Sequence, residues 1–178
     1  MCPFTRASAL LAPVLLAACA GAPQTVALPD AIKGADSETL AMIVPAKGVQ
    51  IYECRARANQ PAAYEWAFVG PEAELFDTRG ARIGKHYGGP AWEAADGSKI
   101  TGAVKARADA PAAAKDIPWL LLTATQAGAG TGAFSAITSV QRVNTMGGVA
   151  PADGCAQATA GTVLRMPYTA DYYLLTKR

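Results

Sequence analysis

Most of the side chains that could do chemistry lie in one short stretch of the chain. Between Gly84 and Ser98 there are two aromatic rings, two carboxylates and the only histidine of the sequence: His86, Tyr87, Trp92, Glu93 and Asp96. An imidazole beside a carboxylate is the pair that general acid–base catalysis uses. Aromatic rings beside polar groups instead favour the binding of a small polar ligand, such as a sugar, that also has apolar faces.

Catalysis by this stretch would make His86 the acid or base, with Glu93 or Asp96 as its partner. Ser98 could complete a Ser-His-Asp set, but the chain contains no Gly-x-Ser-x-Gly motif to present a serine nucleophile. The imidazole could equally be structural and bind a backbone carbonyl among the neighbouring glycines. The sequence favours a binding or structural role over catalysis, and an enzyme that uses His86 is the alternative.

Metal and cofactor chemistry finds little support in the residue types. A single histidine excludes zinc sites built from several histidines. The run Gly128-Ala-Gly130-Thr-Gly132 resembles a dinucleotide-binding loop, but it lacks the third glycine at the required spacing, and a β-like run rather than a helix follows it. We therefore predict a hairpin at these glycines, with no cofactor and no metal site.

Composition limits the class of protein. The chain has 178 residues, of which 51% are hydrophobic and 17% charged, and its formal net charge is +2. That length suits one globular domain with its own core. Because the basic residues form no cluster, we expect no nucleic-acid partner.

The N-terminus is typical of an exported protein. One basic residue precedes an apolar run too short to span a bilayer, so residues 1–18 are predicted to be a cleaved signal peptide. Residues 16–19, Leu-Ala-Ala-Cys, resemble the bacterial lipobox, in which the cysteine is acylated and anchors the protein to a membrane. We expect a lipid such as palmitate on Cys19, a tether over residues 19–38, and an outer-membrane location facing the periplasm or the cell surface, since Ala20 rather than aspartate follows the cysteine.

Cysteine usage agrees with export. If Cys2 leaves with the signal peptide and Cys19 carries lipid, two thiols remain, Cys54 and Cys155. In an oxidising compartment these two are expected to form a disulfide. Two unpaired buried thiols are the alternative.

Residues 39–178 show the alternation of apolar and polar side chains that is typical of half-buried strands. The turn signals Asp77–Gly80 and Asp96-Gly97 predict two hairpins. After the second turn, alternation would place Ile100, Val104 and Ala106 on one face. Short strands with turns at roughly ten-residue spacing predict an all-β fold, a single-domain antiparallel β-sandwich or flattened barrel with long loops.

Seven blocks of sequence resemble the DUF3455 family, a set of secreted bacterial and fungal proteins without an established function. They extend over about residues 40–175, in the family's order: Gly48–Cys54, Pro71–Ala73, Gly84–Glu93, Asp96–Ser98, Ile117–Leu122, Gln141–Thr145 with Gly147 and Gly148, and Pro167–Tyr172. The resemblance implies a fold and a motif set but no activity. Some fungal relatives carry a dehydrogenase label, which the residues of this chain do not support.

The family blocks also contain Arg142, Asn144 and Asp171, and we expect an Arg142–carboxylate pair if such a residue is near. Arg142 thereby joins the ligand-binding candidates, which are His86, Tyr87, Trp92, Glu93 and Arg142. The function expected from the sequence is a membrane-anchored envelope lipoprotein that acts as a binding or structural module without catalysis.

Overall fold

The computed structural model describes residues 25–178, and within them the regular structure is almost entirely β. Two three-residue 3-10 helices, Asp30–Ile32 and Gln157–Thr159, accompany eight strands. The strands are β1 (Glu38–Arg57), β2 (Gln60–Phe76), β3 (Arg82–Tyr87), β4 (Ala91–Ala94), β5 (Lys99–Ala108), β6 (Trp119–Gln126), β7 (Ile137–Gly147) and β8 (Val163–Lys177). The predicted all-β class is therefore confirmed. No helix in the part of the chain that the structure describes is long and apolar enough to cross a membrane.

The eight strands of residues 25–178 form a closed antiparallel barrel rather than a sandwich. Each strand pairs with its neighbour along the chain, and β8 returns to pair with β1. Closure is possible because β1 is long enough to pair with β2 on one edge and with β8 on the other. Closing the sheet leaves no unpaired strand edge, whereas a sandwich would leave several.

Both predicted hairpin turns are confirmed. The Gly80 N–H donates to the Asp77 carbonyl at 3.0 Å, and the Gly97 N–H donates to the Ala94 carbonyl at 3.0 Å. These two turns lie at the end of the barrel that also carries the β6–β7 connection. We call the opposite end, which carries the β3–β4 turn and the β1–β2, β5–β6 and β7–β8 connections, the mouth end.

The barrel has apolar side chains packed both inside and outside. The interior holds the main core, which includes Leu75, Trp92, Phe134 and Tyr172. A second cluster forms on the outer face, where Ile32 and residues near it pack against β5, β6, β7 and β8. Part of the segment that we expected to be a tether thus lies against the barrel. The predicted signal peptide and the predicted lipid site, Cys19, lie outside the described residues.

A β-bulge in β5 changes one predicted face. Val104 pairs with Leu122, but Ala106 pairs with Leu121, so Lys105 is an extra residue between them. Leu122 belongs to the interior core, whereas Leu121 and Ala106 belong to the outer cluster. Ala106 therefore faces away from Val104, and the prediction that both share a face was wrong, because a bulge interrupts the period of two.

The predicted disulfide is confirmed. Cys54, near the end of β1, is bonded to Cys155 in the β7–β8 connection, at a sequence separation of 101. The bond fixes that connection to the β1–β2 hairpin, which extends past the mouth end of the barrel. One of the barrel's long loops is in this way held beside the strands that border the mouth.

Candidate functional site: the mouth of the barrel

A cavity of about 320 Å³ opens at the mouth end of the barrel. Its wall is mainly apolar and comes from seven strands, β2 to β8, and the β3–β4 turn. The lining residues are Phe68, Val69, Gly70, Pro71, His86, Gly89, Pro90, Trp92, Val104, Leu120, Leu122, Arg142 and Tyr172. A concave, mostly apolar pocket with a few polar groups is the usual form of a small-molecule site.

His86 lies on the inner face of β3 and forms part of the cavity wall, although only 2% of its surface is exposed. Its Nδ1 lies 2.8 Å from the Ala91 carbonyl oxygen. A carbonyl can only accept, so Nδ1 carries the proton and donates, which leaves Nε2 as the unprotonated nitrogen of the neutral ring. Burial lowers the pKa of His86 to about 3, and the nearby positive charge of Arg142 also lowers it, against the opposing effect of the Ala91 hydrogen bond.

Three rings form the aromatic floor of the cavity. His86 and Trp92 are direct cross-strand neighbours and stack with their ring centroids 4.4 Å apart. Tyr172 meets both edge-on, at 5.0 Å from His86 and 5.3 Å from Trp92. The absence of a side chain at Gly102 makes room for the indole, since a Cβ there would lie 2.9 Å from Trp92 Cζ3. The floor is therefore closely packed and rigid.

Arg142 is the one cationic side chain that the described part of the chain contributes to the wall of this cavity. Its Nε and Nη2 donate to the Pro118 carbonyl oxygen at 3.0 and 2.8 Å. We expected a carboxylate partner, but no acidic group within residues 25–178 forms a salt bridge with Arg142. Burial raises the pKa of Tyr172 well above its usual value, and the Arg142 charge opposes part of that rise.

Tyr87 and Glu93 lie on the outside of the barrel. The Tyr87 hydroxyl donates to Glu93 Oε2 at 2.6 Å, and Lys85 forms an ion pair with Glu93 Oε1 at 3.1 Å. The Tyr87 hydrogen bond and the hydrogen bond and charge of Lys85 hold the pKa of Glu93 below its usual value. Neighbouring residues of a strand point to opposite faces, which is why Tyr87 and Glu93 are separated from His86 and Trp92.

Asp96 and Ser98 organise a loop at the end opposite the mouth. Asp96 Oδ1 accepts from the Ser98 hydroxyl at 2.6 Å, and Oδ2 accepts from the Ala133 N–H at 2.7 Å. The Ser98 oxygen in turn accepts from the Phe134 N–H at 3.0 Å. These bonds lower the pKa of Asp96, with the Ser98 bond as the largest cause. The structure does not bring Asp96, Ser98 or Glu93 to His86, so no catalytic set of the expected kind is assembled.

A larger groove of about 730 Å³ runs along β1, β7 and β8 on the outside of the barrel. Asn144 and Asp171, both singled out in the sequence, line it and bind each other, with Asn144 Nδ2 donating to Asp171 Oδ2 at 2.8 Å. Asn144 has a φ of 51°, in the left-handed region that asparagine tolerates better than most residues. The polar pair is satisfied internally, so we regard the mouth as the better candidate site.

Residues 25–178 present neither a cluster of metal ligands nor a free cysteine thiol. Between residues 25 and 178, no group of three or more His, Cys, Asp or Glu side chains lies close enough together to hold a metal ion. Cys54 and Cys155 are joined to each other and present no free thiol. The glycine run 128–132 lies in the connection between antiparallel strands β6 and β7, as the predicted hairpin required.

Of the five predicted ligand-binding residues, the structure brings His86, Trp92 and Arg142 together in the cavity. Sequence reasoning missed Tyr172, although it lies in a family block, and it missed the apolar rim. Alternation within the 84–98 stretch would have separated His86 from Tyr87. Nothing local indicated that Tyr172, from the last strand, meets His86.

Comparison with known proteins gives one match. The model of the family described as protein of unknown function (DUF3455) matches residues 35–176. This range includes all eight strands except the final residue of β8, and it includes every residue of the cavity wall. No curated protein and no solved structure matches the chain.

Proposed function

Since the chain belongs to the DUF3455 family, whose function is unknown, we propose its function from the barrel itself: it is a binding module that holds a small, largely apolar molecule in the mouth cavity. The observation that carries this proposal is the cavity of about 320 Å³ with its apolar rim and aromatic floor. The rim includes Phe68 and Val104, whose side chains are more than half exposed although both are apolar. Apolar surface left open to water around a concave site is typical of ligand-binding surfaces.

Catalysis is not part of this proposal. With a pKa of about 3, His86 is neutral at physiological pH and is too weak a base to remove a proton efficiently. Its Nδ1–H is engaged by the Ala91 carbonyl, and both carboxylates expected to assist it bind elsewhere. The geometry favours an imidazole that shapes the floor of a pocket.

Fluorescence of N-phenyl-1-naphthylamine, a neutral dye whose emission rises in apolar surroundings, tests the binding proposal. We expect the purified protein to bind the dye. Val104→Asp should reduce the affinity for the dye at least about tenfold, because it places a charge at the apolar rim beside the bound dye. Val163→Asp is the matched control, because Val163 is an equally exposed strand valine (57% against 61%) outside the cavity wall. Wild-type protein that does not bind the dye, or two variants that lose it equally, would contradict the proposal.

We also propose that the protein is exported and is anchored in the outer membrane by lipid on Cys19, facing the periplasm or the cell surface. The support is the lipobox-like sequence at residues 16–19 and the disulfide, which is typical of oxidising compartments. Growth with an alkyne-tagged palmitate should label the wild type and Cys2→Ser but not Cys19→Ser. Label retained by Cys19→Ser would refute the anchor.

A further inference from the structure

The cavity wall contains an arginine whose charge has no counterpart. Arg142 on β7 pairs directly with Leu120 of β6 and Tyr172 of β8, and both of these residues also line the cavity. The guanidinium is therefore placed at the centre of one side of the wall. It is half-buried, so water does not fully surround it.

The groups that Arg142 contacts do not neutralise it. Two of its nitrogens donate to the Pro118 carbonyl, which is a neutral acceptor. A guanidinium has five N–H donors in a planar fork, so this contact leaves donors unused. The cavity wall contains no Asp or Glu, and within residues 25–178 no carboxylate lies within salt-bridge distance of Arg142.

A second donor in the same wall also lacks an acceptor. Trp92 is 1% exposed, and its indole N–H has no hydrogen-bond partner in the described part of the chain. Buried donors are normally paired, and leaving one unpaired costs free energy. The hydroxyls of Tyr168 and Tyr172, which lie 3.2 Å apart and bond to each other, do not supply the missing negative charge, because burial raises the pKa of both and keeps them neutral.

We propose that the mouth binds an organic monocarboxylate, a molecule with an apolar body and one carboxylate, and that Arg142 binds the carboxylate. This inference rests on the proposed binding function. A carboxylate matches the planar fork of a guanidinium and would supply the missing negative charge, while the apolar rim would cover the rest of the molecule. A phosphate, with its higher charge, fits less well because, among residues 25–178, Arg142 is the only cationic side chain in the wall.

Calorimetric titration with decanoate and decan-1-ol, which differ in the charged group but share an apolar chain, tests the inference. We expect the wild type to bind decanoate at least about tenfold more tightly than decanol, as a charge-assisted hydrogen bond would produce. Arg142→Gln should abolish that preference, and a cooperative urea unfolding transition will show that the variant is folded. Arg165→Gln, a matched control at an exposed arginine of β8 outside the cavity, should keep the preference.

Each outcome separates this inference from the proposed function. If the wild type binds the dye but prefers decanol or does not discriminate, the carboxylate assignment is overturned and the binding function stands. If the wild type binds none of the three, both are overturned. If Arg142→Gln misfolds and no longer binds the dye, Arg142→Lys is the deciding variant. A preference for decanoate reduced at least about threefold in Arg142→Lys supports binding by the planar fork of the guanidinium. An unchanged preference overturns the assignment of the carboxylate to Arg142.

Discussion

His86 is the residue whose role changed most between sequence and structure. As the only histidine it is the obvious acid or base, yet it is buried, stacked on Trp92 and bonded to a backbone carbonyl. Its neighbours in sequence, Tyr87 and Glu93, face the solvent and bind each other. The polar and aromatic side chains of the 84–98 stretch thus lie on both faces of the sheet, and only those on the inner face, His86 and Trp92, belong to the candidate site.

The low pKa of His86 predicts a pH dependence of stability. The unfolded chain binds a proton at this residue below about pH 6.5, whereas the folded protein does not until about pH 3. Stability is therefore lost as the pH falls through that window, at up to about 1.4 kcal/mol per unit. Urea unfolding at pH 7.5 and 4.5 should show a loss larger in the wild type than in His86→Gln by about 3 kcal/mol, and equal losses would contradict the burial of a neutral ring.

We predict that the position of Gly102 tolerates no larger side chain, because the indole of Trp92 packs over it. A Cβ at this position would lie 2.9 Å from Trp92 Cζ3 and 3.1 Å from Leu122 Cδ2, and both neighbours are buried. Gly102→Ala should lower the free energy of unfolding by about 1–3 kcal/mol. At Gly130 an added Cβ would have no atom of residues 25–178 within 4 Å apart from its chain neighbours, so Gly130→Ala should change the free energy of unfolding by less than about 0.5 kcal/mol. Urea denaturation measures both, and equal effects would count against a tightly packed floor.

At the scale of elements, bulges and connections shape the mouth. The register between β1 and β2 shifts after Ile51, where Val69 is the extra residue, and the register between β5 and β6 shifts at Lys105. Both shifts occur beside cavity-lining residues. Bulges re-aim side chains and bend strands, so here they shape the parts of β2 and β5 that form the rim of the site.

The disulfide is the covalent constraint on these elements. It closes a loop of about one hundred residues, which the chain-entropy model associates with a large stabilisation. Replacing both Cys54 and Cys155 by alanine should lower the free energy of unfolding by about 2–5 kcal/mol. Reduction of the wild type should have a similar effect and should leave the double variant unchanged. A double variant as stable as the oxidised wild type would contradict this prediction.

At the scale of the whole molecule, the barrel has two packed layers. The interior core is enclosed by strand closure, and the outer cluster is covered by the segment around Ile32. The Gln141 amide donates to the Ile32 carbonyl at 2.7 Å and fixes this segment to β7. The segment that precedes β1 is therefore part of the folded unit.

Truncation of Ile32 tests how much the outer cluster contributes to stability. The side chain is fully buried, so Ile32→Ala should lower the free energy of unfolding by about 2–5 kcal/mol through lost burial and a residual cavity. Leu40→Ala, at a partly exposed position in β1, should cost less than about 1 kcal/mol. Chemical denaturation gives both values. Similar small losses would mean that the segment contributes little to stability.

The sequence by itself determined the features that depend on near neighbours. Alternation identified the strands, Asp77–Gly80 and Asp96-Gly97 identified turns, and cysteine usage identified the disulfide, because these patterns reflect local backbone preferences or simple chemistry. The family blocks showed which parts of the chain to examine. They did not show which side chains share a site.

Only the tertiary structure decided how those parts meet. Closure of the sheet and the meeting of His86 with Arg142 and Tyr172 depend on strands far apart in the chain. The bulge at Lys105 depends on the register between β5 and β6. Register sets which face each side chain occupies, and a single extra residue reverses it. The cavity and its uncompensated arginine could therefore be recognised only once the barrel had closed.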